Sequence, residues 1–180
     1  MIIGITGTIG AGKNTIADYL AGKGFRHISV SKFLRDEAVK RSQAPTRVHF
    51  REIGNEYRAR GRTALIEAVL ADVNPSKENI IVESLHTVAE VEYVKSLGGK
   101  VVSIDAPFAV RYARVQSRHD GKDPSSLDAF VAEEKRQMES SNPDENNLLA
   151  AIAAADFHLQ NEEKSKELFE KIDVILDRIL

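Results

Sequence analysis

Three short runs in this chain, "IIGIT" (2–6), "NIIVES" (79–84) and "KVVSIDA" (100–106), are rich in β-branched residues and show almost no polar alternation. A strand with one wet face alternates, whereas a strand covered on both faces does not. These runs therefore call for layers above and below them, as in a parallel sheet. "FRHIS" (25–29) and "ADFHLQ" (155–160) also read as strands. Helical patterns fill the intervals. Thr87 with Glu90 forms a capping box ahead of "VEYVKSLGG", which the Gly98–Gly99 pair stops. Pro107 opens "PFAVRYARVQSR", Ser125 with Asp128 caps "LDAFVAEEKRQMES", and "EKSKELFEKIDVILDRIL" carries apolar residues at helical spacing. Strand–helix–strand repetition implies right-handed crossovers. The expected fold class is α/β: a three-layer sandwich with a five-stranded parallel sheet, in a single domain over 1–180. No strand interrupts residues 31–74, which read as a helical insertion, and the polar segment 119–154 reads as a second, lid-like departure.

The first strand runs into Gly7-Thr8-Ile9-Gly10-Ala11-Gly12-Lys13 and then a helix. That is the strand–GxxxxGK–helix pattern in its required setting, and it defines a P-loop. Glycines let successive amide N–H groups converge on one anion, and the helix that follows adds the positive end of its dipole. Lys13 supplies a mobile charge for outer phosphates. Asn14 occupies the place where such loops carry a hydroxyl for Mg²⁺, and its amide oxygen is an alternative ligand, directly or through water. Thr15 is one place further on and can reach an inner phosphate.

The bulk numbers narrow the class. A net charge of −2 over 180 residues leaves no general basic field for nucleic acid or anionic membranes, so any polyanion must meet a local cation cluster. The basic stretch "KRSQAPTRVHFR" (40–51) lacks stacking aromatics beyond Phe50. The absence of cysteine excludes disulfides, thiol catalysis and cysteine-based metal centres. The five histidines show no metal-ligand spacing. The N-terminal apolar stretch, Met1 to Ile5, is too short for a signal peptide and no later run approaches a membrane span, so a cytoplasmic location is expected. Tyr57 and Tyr112 are expected to pack rather than to stack on bases.

"GKNT" followed by "HISVSKFLRDEAVKR" resembles the nucleoside monophosphate kinases of the adenylate kinase type, whose loop is GKGT-like and whose second strand leads into "ISTGDxLR". The resemblance implies that Arg35 grips the phosphate of a monophosphate acceptor. Lys32 stands where those enzymes carry an aspartate near Mg²⁺. "IIVESLHTVAEV" takes the place of their "DGFPRT" strand end, which puts Glu83 on the carboxylate near magnesium and His86 on a second acceptor-phosphate arginine. "DAPFAVRYARVQSRHDG" matches their helix with RxxxR. On it Arg114 corresponds to the arginine over the donor adenine and Arg118 to the one at the transferring phosphate, on one helical face; Arg111 could join them. Lys135 and Arg136, followed by "AADFHLQN", are more similar to dephospho-CoA kinases, although the acidic D-x-D segment of those enzymes is replaced by "SVSKF". Phage-type deoxynucleotide kinases, with GKDT loops, are also similar.

The resemblance implies an ATP-dependent phosphotransferase acting on a nucleoside or deoxynucleoside monophosphate. Mg²⁺ would be the cofactor, held through Asn14 and Glu83. The nucleotide would lie on Gly7, Gly10, Ala11, Gly12, Lys13, Asn14, Thr15 and Arg114. The acceptor would meet Arg35, Glu83 and His86, and Lys13, Arg118 and Arg35 would serve catalysis. Asn55, Arg58 and Arg62 are candidates for the acceptor base. ATP or ADP and the acceptor are the expected partners, without nucleic acid or membrane, and the expected state is a monomer. A dephospho-CoA kinase-like enzyme and a nucleotide-binding regulatory or assembly factor with weak ATPase activity are the competing readings.

Overall fold

A computed structural model describes residues 1–118, 126–138, 140, 142, 145–162 and 165–179 of the chain. The five expected strands form. They are β1 (Ile2–Gly7), β2 (Arg26–Ser29), β3 (Ile80–Leu85), β4 (Lys100–Asp105) and β5 (Phe157–Gln160), all parallel in the order β2-β3-β1-β4-β5. β1 is central, pairing Ile3 with Ile81 on one side and with Lys100 on the other.

The period-2 geometry of the strands divides their apolar residues between two cores. Ile2, Ile80, Val82 and Val101 face one layer. Ile3, Ile5, Ile81, Val102 and Ile104 face the other. The second layer is closed by α1 (Lys13–Ala21), through Ile16, Ala17 and Leu20, and by α9 (Ser165–Ile179), through Leu168, Ile172, Ile175 and Leu176. Burying each such large aliphatic side chain contributes about 1.5–3 kcal/mol.

The first layer contains the helices expected between the second and third strands: α2 (Val30–Lys40), α3 (Arg47–Arg60) and α4 (Ala64–Val69). Ser29 caps α2 by accepting from the Lys32 N–H, and Thr46 caps α3 by accepting from the His49 N–H. α5 (Val88–Ser96) begins on the expected capping box of Thr87 and Glu90. It ends in a Schellman turn, with the Gly98 N–H on the Lys95 carbonyl and the Gly99 N–H on the Val94 carbonyl.

α6 (Phe108–Arg118) starts from Pro107, whose carbonyl takes the first helical N–H, from Arg111. α7 (Leu127–Met138) and α8 (Leu148–Ala153) follow. The Ser125 cap expected for α7 lies outside the described residues; within them, Ser126 Oγ accepts from the Ala129 N–H at 3.2 Å. α8 buries Leu148 and Ala151, the latter in the first core. This end of the segment read as lid-like therefore belongs to the packed body. Tyr57 meets Phe33 edge-on at 5.6 Å, and Tyr112 packs on Phe130.

Candidate active site at the carboxyl ends of the strands

Ligands of open parallel sheets lie outside the carboxyl ends of the strands, and a group of convergent charges lies there. The loop after β1 is shaped by its glycines. Gly7 has φ +140°, and a Cβ on it would sit 2.0 Å from the Ile104 carbonyl oxygen. Gly12, the N-cap of α1, has φ +106°, and a Cβ there would sit 2.4 Å from Asn161 Nδ2. No other residue fits either place. Lys13 Nζ donates to the Gly7 carbonyl at 2.8 Å and to the Thr8 carbonyl at 2.9 Å, so the ammonium group is folded over the loop it opens from.

Beside the loop is a cavity of about 200 Å³. Lys13, Asn14, Arg35, Glu83, His86 and Arg118, drawn from four separate stretches of sequence, all line it, together with Gly10 and Gly12. Gly7 and Ala11 are buried and are not part of its lining. Thr15 is exposed and is not part of the lining. Lys32 lines the cavity while its ammonium pairs with Asp36 at 2.6 Å, one helical turn on, which offsets part of the charge it brings.

Glu83 is 2% exposed at the end of β3. Its orientation comes from a bulge. The pairing with β1 skips Ser84, which adopts φ +72°, a region that non-glycine residues rarely enter. Glu83 and Ser84 consequently both line the cavity instead of facing opposite sides of the sheet. Ser29 Oγ donates to one Glu83 oxygen. Ser84 Oγ donates to the other at 2.5 Å and itself accepts from Ser31 Oγ at 3.2 Å.

His86 lines the same cavity, but not as a cation. Burial, reinforced by the positive charges of Lys13, Arg58 and Arg47, pushes its pKa well below the ordinary imidazole range. Near neutral pH it offers a hydrogen-bonding ring and no charge. Arg47, at the first position of α3, also lines the cavity. Arg47 belongs to the basic run 40–51, which the sequence reading left without a role. Gln137 of α7 is a second lining residue that had no sequence signal.

The arginines of α6 separate by position. Arg118 reaches the cavity. Arg114 instead lies on the loop, with Nη1 3.4 Å from the Gly10 carbonyl and 3.3 Å from that of Ala11, and Nη2 3.3 Å from Asn161 Oδ1. Asn161, just past β5, closes the arrangement by donating to the Ala11 carbonyl at 2.7 Å. Arg111 does not join them. It is buried, donates to the carbonyls of Ala106 and Ile9, and pairs with Glu134 and Asp105, so it clips α6 and α7 to the loop.

The acceptor-base candidates fare unevenly. Arg58 is 4% exposed and pairs at 2.9 Å with Glu90, which is fully buried. Asn55 supports Arg58 at 3.4 Å, and Arg62 is exposed and outside the cavity. Among the described residues no group of three or more carboxylates and histidines could hold a metal ion by itself. Asn14 and Glu83 nevertheless share the cavity with Lys13. That fits the way Mg²⁺ binds beside phosphates, through one or two protein oxygens with water and phosphate completing the shell. No described helix is long and apolar enough to cross a membrane.

A parallel five-stranded sheet with a glycine loop, a lysine and remote arginines around one crevice defines a P-loop kinase-like protein. The chain belongs to the AAA-domain family, whose model matches residues 3–142. The UPF0200 protein of Methanocaldococcus jannaschii is 30% identical over 189 residues, covering 100% of this chain and 91% of that one. Among solved structures, shikimate kinase from Aquifex aeolicus superposes with a TM-score of 0.59 at 18% identity, covering 98% of this chain and 96% of that one. Dephospho-CoA kinase from Campylobacter jejuni superposes with a TM-score of 0.51 at 17% identity, covering 99% and 96%. At such identities the likeness establishes the kinase fold and nothing about substrates.

Proposed function

We propose that the protein is an ATP-dependent phosphotransferase whose acceptor is itself a phosphate monoester, a nucleoside or deoxynucleoside monophosphate. The observation that carries this reading is the charge of the cavity. Among the described residues, Lys13, Lys32, Arg35, Arg47 and Arg118 line it against a single carboxylate, Glu83. One triphosphate on the loop would engage Lys13 and Arg118. Arg35 and Arg47, which come from the helices between β2 and β3, would then orient a second anion.

In the reaction an oxygen of the acceptor phosphate attacks the γ-phosphorus of ATP. The new P–O bond forms as the bond to the β,γ-bridging oxygen breaks, and the electron pair leaves on ADP. The nucleophile is already anionic, so no general base is needed, and the work lies in alignment and charge neutralisation. Lys13 would exchange its two loop carbonyls for phosphate oxygens. Arg118 would meet the charge that spreads over the transferring group, and Arg35 with Arg47 would orient the acceptor. Asn14 and Glu83 would hold Mg²⁺, which when bound would supply charge neutralisation to the phosphates. The two serine hydroxyls on Glu83 would keep that carboxylate aimed at the cavity.

The test is ADP release, with Mg·ATP, across ribo- and deoxynucleoside monophosphates and dephospho-CoA. Stimulation by at least one monophosphate is expected, and Lys13→Ala should reduce it by about 10²–10³-fold, the scale on which removal of one transition-state contact acts. ATP binding without stimulation by any acceptor would sink the proposal in favour of a nucleotide-binding regulatory factor. Stimulation by dephospho-CoA alone would move the acceptor from a phosphate to a hydroxyl.

A further inference from the structure

The phosphate loop has an inner side, which lines the cavity through Ile9, Gly10, Gly12 and Lys13, and an outer side against which Asn161 lies. Asn161 is 6% exposed and does not line the cavity. Its backbone N–H donates to the Asp105 carbonyl at 2.8 Å, which fixes it to the end of β4, the strand that β5 pairs with. Its side chain serves the loop. Nδ2 donates to the Ala11 carbonyl at 2.7 Å, and Oδ1 accepts from Arg114 Nη2 at 3.3 Å. Arg114 Nη1 reaches the same Ala11 carbonyl at 3.3 Å. The fit leaves no spare room, since a Cβ on Gly12 would sit 2.4 Å from Nδ2.

A carbonyl held in this way fixes more than itself. The peptide between Ala11 and Gly12 is trans and planar, so its C=O and N–H point in opposite directions. With the oxygen drawn to Asn161 on the outer side, the Gly12 N–H is turned toward the cavity that Gly12 lines. No backbone carbonyl among the described residues takes that N–H, whereas the Ala11 N–H closes a turn on the Thr8 carbonyl at 3.3 Å. Resting on the reading of this cavity as a nucleotide-phosphate site, we infer that Asn161 is a positioning residue, which holds the Ala11 carbonyl so that the Gly12 N–H is aimed at a phosphate oxygen before the ligand arrives. Gly12, at φ +106°, has no side chain to resist rotation of its own peptide, so the restraint comes from outside the loop. An amide suits this task. It gives a donor to the loop carbonyl and an acceptor to Arg114 at once, and it adds no charge beside an anion. Orienting the donor in advance saves the ligand the cost of ordering it.

The experiment measures, by calorimetry in Mg²⁺, the binding of ATP and of inorganic tripolyphosphate to the native chain, Asn161→Leu and Asn161→Ser, with melting curves to confirm folding. Leucine fills the space of the amide but offers no donor. Serine is smaller but keeps a hydroxyl that can donate to the Ala11 carbonyl, directly or through water. Asn161→Leu should weaken both ligands by the same factor, about tenfold, the scale of one buried hydrogen bond. Asn161→Ser should recover part of that loss. A role in packing alone reverses the order, because serine leaves the larger gap. If Asn161→Leu does not fold, Asn161→Ser decides alone, through a parallel loss of about threefold for both ligands. Unchanged binding by the folded variants, or tighter binding by Asn161→Leu than by Asn161→Ser, overturns the inference. A loss confined to ATP also overturns it, by assigning Asn161 to the base. A native chain that binds neither ligand overturns the nucleotide-phosphate reading itself.

Discussion

His86 shows how one side chain changes meaning between sequence and structure. As a letter it is a weak cation on an arginine position. In the fold it is a neutral ring, because burial and the charges of Lys13, Arg58 and Arg47 oppose its protonation. The shift has a thermodynamic consequence. Below pH about 6.5 the unfolded chain takes up a proton at this position that the folded chain refuses, so acidification costs stability at up to about 1.4 kcal/mol per pH unit until the depressed folded pKa is reached. Urea unfolding of the native chain and of His86→Asn between about pH 7.5 and 5.5 should show a shallower decline in the variant. Parallel declines would mean that the ring is protonated in the fold. Glu37 and Asp173 are held below the usual carboxylate range by Lys40 and by Tyr19 with Lys23. Their contributions are complete above the ordinary carboxylate pKa and are lost at more acidic pH, which separates them from the histidine window.

At the scale of elements, Glu90 joins three parts of the molecule. One of its oxygens accepts from the backbone N–H groups of His86 and Thr87, completing the cap of α5, while the other holds the Arg58 guanidinium of α3. Glu90→Ala would leave Arg58 charged, buried and unpaired, at a cost of about 3–5 kcal/mol. Thr87→Ala, which removes only the cap acceptor, should cost about 1 kcal/mol. Chemical denaturation of the two variants checks the ranking, and similar losses would mean that Arg58 finds another partner. The capping box itself was legible in the sequence, because a Thr and a Glu three residues apart act locally. The ion pair spans 32 residues and was not. The bulge at Ser84 was equally silent, since a serine in a β-branched run carries no signal for a positive φ.

For the whole molecule, phosphate loop, α2, α3 and α6 meet at one crevice, so ligand binding should stabilise the fold as a unit. With Mg·ATP at about 100 times its dissociation constant the gain is about 2.7 kcal/mol, or roughly 5–10 °C in Tm for a chain of this length. Lys13→Ala should lose most of that shift, and raised salt should shrink it in the native chain, because the cavity's cations are partly exposed. A shift indifferent to both would show that nucleotide binds elsewhere.

Strand number, the phosphate loop and the cap of α5 were decided by the sequence by itself, since each depends on neighbouring residues or on the period of apolar positions, and the unalternating β-branched runs already called for a sheet covered on both faces. The tertiary structure alone decided which cations share the crevice: Arg47 enters it, Arg111 becomes a clip, and Arg114 lies on the loop. The physical reason is range. Propensity, patterning and capping act between neighbours in the chain, whereas a charge in a cavity is placed by packing contacts a hundred residues apart, such as that between Arg111 and the carbonyl of Ile9.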